Sequence, residues 1–415
     1  MDVFESLESE VRSYCRGWPA VFDKASGSHL YDEDGRAFID FFAGAGTLNY
    51  GHNNPRLKES LLLYLADDNI VHSLDMHTVA KRSFLQAFHD VILAPRKLDY
   101  KVQFPGPAGA SAVEAALKLA RKYKGRETIV SFTNAFHGMS LGALAVTGNS
   151  MKRNGAGISL NHTVPMPFDN YLDGRTPDLL LFERLLEDSG SGLDTPAGVI
   201  VETVQGEGGL NTASPGWLRG LADLCERHDM LLIVDDVQMG CGRTGPFFSF
   251  EEAGIVPDIV CLSKSLSGYG LPFAVTLLKP ELDVWEPGEH NGTFRGFNPA
   301  FVTATAAMEF WTGEGMEKQT IAKGEQVQGA LKGIAAEHPE AVTGVRGRGL
   351  AQGIAFAEPA TASAVCAEAF ARHLLMETSG PENEVVKLLP PLTTTVDELA
   401  EGLAVLADSV DAVLL

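Results

Sequence analysis

The middle of the chain alternates short apolar runs with amphipathic stretches. Residues 128–132 (TIVSF), 198–202 (GVIVE), 231–235 (LLIVD) and 258–263 (DIVCLS) are apolar and β-branched at successive positions. A strand that is apolar on both faces is buried on both, the pattern of a parallel sheet covered by helices. Between the second and third runs, Trp217, Leu221, Leu224 and Cys225 recur at helical spacing. In 112–124, Val113, Ala116, Leu117 and Ala120 form one stripe, while Glu114 and Lys118 sit four apart on another face. Beyond about residue 300 the pattern becomes long helical periods (300–312, 316–336, 361–376, 395–413) around two strand candidates near 350–356 and 384–389. Near the N-terminus, LYDEDGRAFIDF reads as two strands around a turn at Asp34-Gly35, too little to form a core alone. The expected fold class is α/β, in two units. The large unit, residues 60–296, has a mostly parallel sheet with helices on both faces. The smaller α+β unit is assembled from both chain ends, 1–59 and 297–415.

Composition narrows the class of protein. At 415 residues and 45% hydrophobic, the chain can bury one large core or two. A formal net charge of −21 repels phosphate backbones, so no nucleic-acid partner is expected. Cys15, Cys225, Cys241, Cys261 and Cys366 are odd in number and contain no CxxC pair, so neither a disulfide framework nor a metal site is expected. The acidic N-terminus MDVFESLESEVRSY lacks an apolar signal core, and no run reaches the length of a membrane span. The expectation is a cytoplasmic protein with no membrane partner.

Four segments carry candidate chemistry. In GPAGASAVEAALKLAR (106–121) small residues open directly into a helix, so Gly109, Ala110 and Ser111 form a candidate phosphate cradle at a helix N-terminus. In NAFHGMSLGALAVTG (134–148) Phe136 can stack on an aromatic ring, although a lone Phe or a lone His137 is more often structural. In LLIVDDVQMGCGRTG (231–245) a buried strand ends in two aspartates, one of which is expected to cap the following turn. In DIVCLSKSLSGYGLP (258–272) Lys264 follows another apolar run, where a partly dry pocket turns a lysine into a nucleophilic amine. Each feature alone has an ordinary structural explanation. Together they meet the needs of pyridoxal 5'-phosphate: a phosphate cradle, a stacking ring, a carboxylate for the pyridinium nitrogen and a Schiff-base lysine. A nicotinamide site is disfavoured, because the one glycine run of interest, GRGLAQG (347–353), precedes a strand instead of joining strand to helix.

These segments resemble the class III (omega) aminotransferases of the pyridoxal-phosphate-dependent transferase fold type I, over nearly the whole chain. The residues that carry the likeness are VIVETVQGEGG (199–209), LLIVDDVQMGCGRTG and LSKSLSGYGLP. The family's second motif usually reads Asp-Glu-Val-Gln and here is Asp235-Asp236-Val237-Gln238. The resemblance implies that Lys264 carries the cofactor and shuttles the proton, and that Asp235 pairs with the ring nitrogen. Phe136 and Val237 would sandwich the ring, Gln238 would lie near its hydroxyl, and Gly109, Ala110 and Ser111 would hold the phosphate. His137 and Glu202 would complete the cofactor contacts. Thr293, in NGTFRG, looks like the threonine that reaches the phosphate from a neighbouring subunit, which implies a homodimer with shared active sites or a larger assembly of such dimers.

Two departures from the ornithine and 4-aminobutyrate enzymes bear on the substrate. Met139 stands where those enzymes have an arginine after the HG or WG pair. Lys387, in VVKLLPPLT, stands where they have an arginine paired with the glutamate of QGE, here Glu207. A lysine is a point charge and lacks the bidentate fork of arginine. Arg295 is a candidate carboxylate anchor, and Ala45, between Gly44 and Gly46, can leave room for substrate. The stretches AGAGTLNYGHNNP (43–55), HSLDMHTVAK (72–81), LDYKVQF (98–104) and EHNGTFRG are similar to the branch serving ectoine biosynthesis. That branch moves the amino group of L-glutamate to L-aspartate 4-semialdehyde, giving 2-oxoglutarate and L-2,4-diaminobutyrate. The alternative is another member of the class acting on ornithine, acetylornithine or 4-aminobutyrate.

Overall fold

The four apolar runs become four adjacent strands at the centre of a seven-stranded sheet. Its order is Lys101–Gln103, Val275–Leu278, Ile259–Leu262, Leu231–Asp235, Gly198–Val201, Ile129–Phe132, Thr163–Met166. This is a computed structural model, and it describes residues 3–172 and 178–415. Six strands point the same way, and only Val275–Leu278 runs against its two neighbours. The sheet is thus mostly parallel, as expected. The apolar pattern does not reveal Lys101–Gln103 and Thr163–Met166 because edge strands carry polar residues and proline, here Lys101, Gln103 and Pro165.

Side-chain alternation divides the sheet into two cores. Ile129, Ile200, Leu231, Ile233 and Ile259 face the stripe Val113, Ala116, Leu117 and Ala120 of helix Gly109–Lys124. Val130, Val199, Leu232, Val234 and Val260 face the other way, toward Trp217, Leu221 and Leu224 of helix Pro215–Arg227. Each such aliphatic side chain, once buried, contributes about 1.5–3 kcal/mol, so both layers are held by the same strands. Helix Gly109–Lys124 ends at Gly125, whose φ of 63° suits the left-handed cap.

A second, antiparallel sheet lies toward the C-terminus in the order Val342–Arg348, Ala351–Phe356, Val385–Leu388, Glu377–Ser379. Helices Gly315–Glu337, Pro359–Ala371 and Val396–Leu414 accompany it. The last starts on a capping box between Thr395 and Glu398. The glycine run 347–353 is the tight turn of the first hairpin, with Gly347 at φ 87° and Gly349 at φ 59°. The helical pattern read over 361–376 stops at Ala371. His373 takes a φ of 66° and Leu374–Leu375 becomes a strand parallel to Ala37–Asp40. The N-terminal strands Phe22–Ser26, His29–Asp32 and Ala37–Asp40 therefore close on the C-terminal part of the chain. Helix Asn298–Met308 packs against Pro55–Ala66 and Val79–Ala87. Among the described residues no helix is long and apolar enough to cross a membrane.

Candidate active site

Six parallel strands bring their carboxyl ends to one edge of the sheet, and loops at that edge are where such sheets bind ligands. Asp235 ends its strand, Glu202 follows Gly198–Val201, Lys264 follows Ile259–Leu262, and Phe136 and His137 follow Ile129–Phe132. The structure gathers Gly109, Ala110, Phe136, His137, Glu202, Glu207, Asp235, Val237, Gln238 and Lys264 around a cavity of about 170 Å³. Ala45 and Lys387 reach that lining through hydrogen bonds with Lys264 and Glu207, while the Ser111 amide is taken by the Ala108 carbonyl. Thr293 and Arg295 lie elsewhere in the single chain. The Thr293 carbonyl accepts from His72 Nε2 at 2.7 Å. Arg295 is ion-paired with Asp75 beside a separate cavity that Trp285 and Lys101 also line.

The Lys264 amine is buried and donates to the Ala45 carbonyl at 2.9 Å. Gln238 Nε2 donates to the same carbonyl at 3.0 Å. That acceptor exists because four successive residues take positive φ: Ala43 at 47°, Gly44 at 60°, Ala45 at 55° and Gly46 at 81°. The left-handed region costs a non-glycine residue roughly 1–2 kcal/mol, and only small side chains keep a consecutive run tolerable. Asp40 holds the run in place. Its Oδ1 accepts the amides of Phe42 and Ala43 at 2.8 Å each, and its Oδ2 contacts His52 Nε2 at 2.7 Å. Sequence reasoning assigns Ala45 a role through its small size, whereas its contribution here is a backbone oxygen. Burial pushes the Lys264 pKa below the ordinary lysine value, against the opposing pull of Glu207.

Asp235 is held on two sides. Oδ1 accepts the Val237 amide at 3.1 Å, and Oδ2 lies 2.7 Å from His137 Nδ1. Burial disfavours the charged imidazole, but the hydrogen bond and charge of Asp235, with Glu202 adding, outweigh it and raise the His137 pKa. Glu202 accepts the Phe136 amide at 2.9 Å and so fixes that ring's backbone. Burial pushes the Glu202 carboxyl up to about 7, although His137 draws it down.

Asp236, the second aspartate of the motif, does not line the cavity. Its Oδ2 accepts the Ser249 amide, thirteen residues on, at 3.0 Å, and the turn cap expected of one of the two is instead the Val237 amide on Asp235 Oδ1. Burial raises its carboxyl to about 7, with a smaller push from Asp235. A folded-state pKa above the unfolded value means that the native state binds the proton more tightly, so stability falls as pH rises from about 4 through 7. Asp236→Asn keeps the acceptor and has no proton to lose. Its stability relative to the unsubstituted chain should therefore grow by on the order of a few kcal/mol between pH 5 and pH 8. Urea denaturation midpoints at the two pH values check this, and a pH-independent difference contradicts it.

At the other end of the cavity, Lys387 is fully buried between two carboxylates. Its Nζ lies 2.8 Å from Glu207 Oε1 and 3.0 Å from Glu377 Oε1. Glu377 and Lys387 face each other in register across antiparallel strands. Glu377 escaped the sequence reading because nothing in its local sequence distinguishes it, and only the strand register brings it to Lys387. The two acids raise the Lys387 pKa against burial. Lys152, also unforeseen, lies with its Nζ 4.2 Å from the Phe136 ring centroid.

The cavity's chemistry fits a phosphorylated aromatic aldehyde. Helix Gly109–Lys124 has no side chain capping its N-terminus, which leaves its first amides for an anion. A Cβ on Gly109 would come within 2.7 Å of Val237 Cγ1, so only glycine leaves the cradle and the Val237 face open together. Buried Gln238 Oε1 and His137 Nε2 have no partner among the described residues, as expected of groups that await a polar ring. Two clusters, Glu183 with Glu187 and His228, and Glu337 with His338 and Asp411, have their ligand atoms close enough to share a metal. None of these residues lines the cavity. Both clusters already hold partners, Arg227 on Glu183 and His338 on Asp411.

Comparison with known proteins agrees with this site. The family model of class III aminotransferases matches residues 14–410, and the chain belongs to that family. Its cofactor is pyridoxal 5'-phosphate. The chain is 69% identical over 408 residues to a diaminobutyrate–2-oxoglutarate transaminase of Streptomyces anulatus, covering 98% of this chain and 97% of that one. It is 63% identical over 413 residues to a transaminase of the same name from Nocardia farcinica, covering 99% and 94%. Among solved structures, the ornithine aminotransferase of Toxoplasma gondii superposes with a TM-score of 0.86 at 24% identity, covering 99% of this chain and 94% of that one. An aminotransferase of Bacillus anthracis superposes at 0.87 with 22% identity, covering 98% and 96%. These two likenesses show the fold alone.

Proposed function

We propose that the protein moves the amino group of L-glutamate to L-aspartate 4-semialdehyde, giving 2-oxoglutarate and L-2,4-diaminobutyrate, the first step of ectoine biosynthesis. The observation that carries the reading is the full-length likeness to the Streptomyces and Nocardia transaminases. The geometry is consistent with it. Lys264 stands between an Asp235–His137 pair and a Glu207–Lys387–Glu377 cluster, so one amine serves a cofactor end and a substrate end.

Pyridoxal 5'-phosphate bound at Lys264 supplies an electron-poor ring that takes up the electron pair released at the substrate carbon. The chain supplies the rest. The amides of Gly109 and Ala110 would hold the phosphate. Phe136 and Val237 would cover the two ring faces. Asp235, fixed by its contact with His137, would hold a proton at the ring nitrogen. Lys264, with its pKa lowered by burial, is a competent base at the carbon of glutamate that bears the amine, and later returns the proton. Ala45 and Gln238 line the amine's resting place and keep its direction fixed.

The active unit in this reading is a homodimer. Ile70, Leu74, Met76, Val79 and Phe294 are exposed apolar side chains, on two segments that His72 joins at the Thr293 carbonyl. Such a patch favours a second copy and would bring Thr293 to a neighbouring site. Light scattering should give twice the chain mass or a larger even multiple, and a monomer would contradict it. The working compartment is the cytoplasm, where the free thiols remain reduced.

A donor panel tests the substrate assignment. With 2-oxoglutarate as acceptor, L-2,4-diaminobutyrate should exceed ornithine, which is one methylene longer, by at least about tenfold in kcat/KM, and should also exceed acetylornithine and 4-aminobutyrate. Ornithine or 4-aminobutyrate in first place would overturn the substrate and leave the class intact.

A further inference from the structure

We propose that Lys152 is the cation that holds the carboxylate remote from the reacting carbon, and that it does so for both substrates. The inference rests on the reaction proposed above. Lys152 sits in the short helix Ser150–Asn154, where Asn149 Oδ1 accepts its amide at 3.0 Å. The next residue, Arg153, donates through Nη1 to the carbonyls of Ala145 at 3.1 Å and Thr147 at 2.9 Å. Thr147 Oγ1 in turn accepts the His137 amide at 3.0 Å. The helix is thereby tied to the segment that carries Phe136 and His137, and Lys152 Nζ lies over the ring of Phe136, which itself lines the cavity.

The three other cations considered for the site are committed. Lys264 does the proton transfer, Lys387 is enclosed by Glu207 and Glu377, and Arg295 is paired with Asp75 by another cavity. Among the described residues no carboxylate pairs with Lys152, in a chain with a formal charge of −21. Its field also reaches inward. Burial opposes ionisation of Glu207, yet Lys387 and Lys264, and more weakly Lys152, hold that carboxyl down at about 2.

The chemistry of the two substrates explains why one cation suffices. In L-glutamate the reacting carbon is C2, and the side-chain carboxylate carbon lies three bonds away. In L-aspartate 4-semialdehyde the reacting carbon is C4, and the carboxylate carbon again lies three bonds away. With the reacting carbon fixed by Lys264, both carboxylates fall at the same reach. A flexible stem ending in a compact ammonium can meet either without the planar alignment that a guanidinium demands.

The test uses the cofactor-loaded enzyme with Lys152→Gln and Lys152→Arg. KM is measured for L-glutamate and for the semialdehyde, together with inhibition by glutarate, a dicarboxylate that cannot react. The rate constant for L-alanine, which has no remote carboxylate, is the control. Lys152→Gln should raise both KM values and the glutarate inhibition constant by about tenfold, leave kcat within about threefold, and leave alanine unchanged. Lys152→Arg should restore most of the affinity. Unchanged constants, a loss confined to one substrate, or an equal loss with alanine would each overturn the proposal. If the unsubstituted enzyme does not aminate the semialdehyde, the proposed reaction fails, and the glutamate and glutarate measurements still judge Lys152.

Discussion

Lys264→Ala should lower turnover by about 10⁴-fold or more and remove the visible absorbance that the cofactor shows when bound through a lysine. The size of the loss follows from the amine's double duty, since it both carries the cofactor and moves the proton. No neighbour can replace it. Lys387 is held between two carboxylates that raise its pKa, so it presents an ammonium and no lone pair. Lys264→Arg should be about as inactive, because a guanidinium does not release its proton in a protein. Absorbance spectra and single-turnover rates with glutamate check both variants. A retained lysine-type band in Lys264→Ala would mean that another amine holds the cofactor.

Asp235→Asn should lower kcat by about 10³-fold while changing KM for glutamate little, because the lost charge acts where electrons accumulate during reaction and not where substrate docks. The replacement also removes the group that raises the His137 pKa. His137 Nδ1 is 2.7 Å from Asp235 Oδ2, and burial alone would lower the imidazole pKa. Asparagine keeps an oxygen within reach of His137 Nδ1, so the protein should remain folded. Steady-state kinetics with thermal denaturation as a control decide this. A kcat within tenfold of the unsubstituted enzyme would remove Asp235 from the central role assigned to it.

The parts of this site that are visible in the sequence share one physical cause. Lys264 and Asp235 each follow a run that is apolar on both faces, and such a run can only be an inner strand of a covered sheet. The position of each at a strand's carboxyl end then follows from the chain order. Gly109 is similarly legible, since a small-residue loop opening into an amphipathic helix has few other uses. What stays hidden depends on tertiary register. Glu377 meets Lys387 only because Glu377–Ser379 pairs with Val385–Leu388, and the strand Val342–Arg348 is disguised by Gly344, Gly347, Arg346 and Arg348. The left-handed run Ala43–Gly46 also escapes a reading of side chains, because its contribution to the site is the Ala45 carbonyl. Lys152 lies too far along the chain from Lys264 for any local pattern to join them. Arg295 shows the opposite case, a charged residue in a suggestive motif that the single chain pairs with Asp75.

The central claim is that glutamate's nitrogen ends on the fourth carbon of the semialdehyde, and isotope transfer tests it most directly. The cofactor-loaded enzyme is supplied with ¹⁵N-labelled L-glutamate and unlabelled L-aspartate 4-semialdehyde, and the products are resolved by mass spectrometry and nitrogen NMR. The account predicts L-2,4-diaminobutyrate labelled at the 4-amino nitrogen alone, in amounts equal to the 2-oxoglutarate released. No labelled diaminobutyrate, with glutamate still converted to 2-oxoglutarate when another aldehyde is supplied, would contradict it.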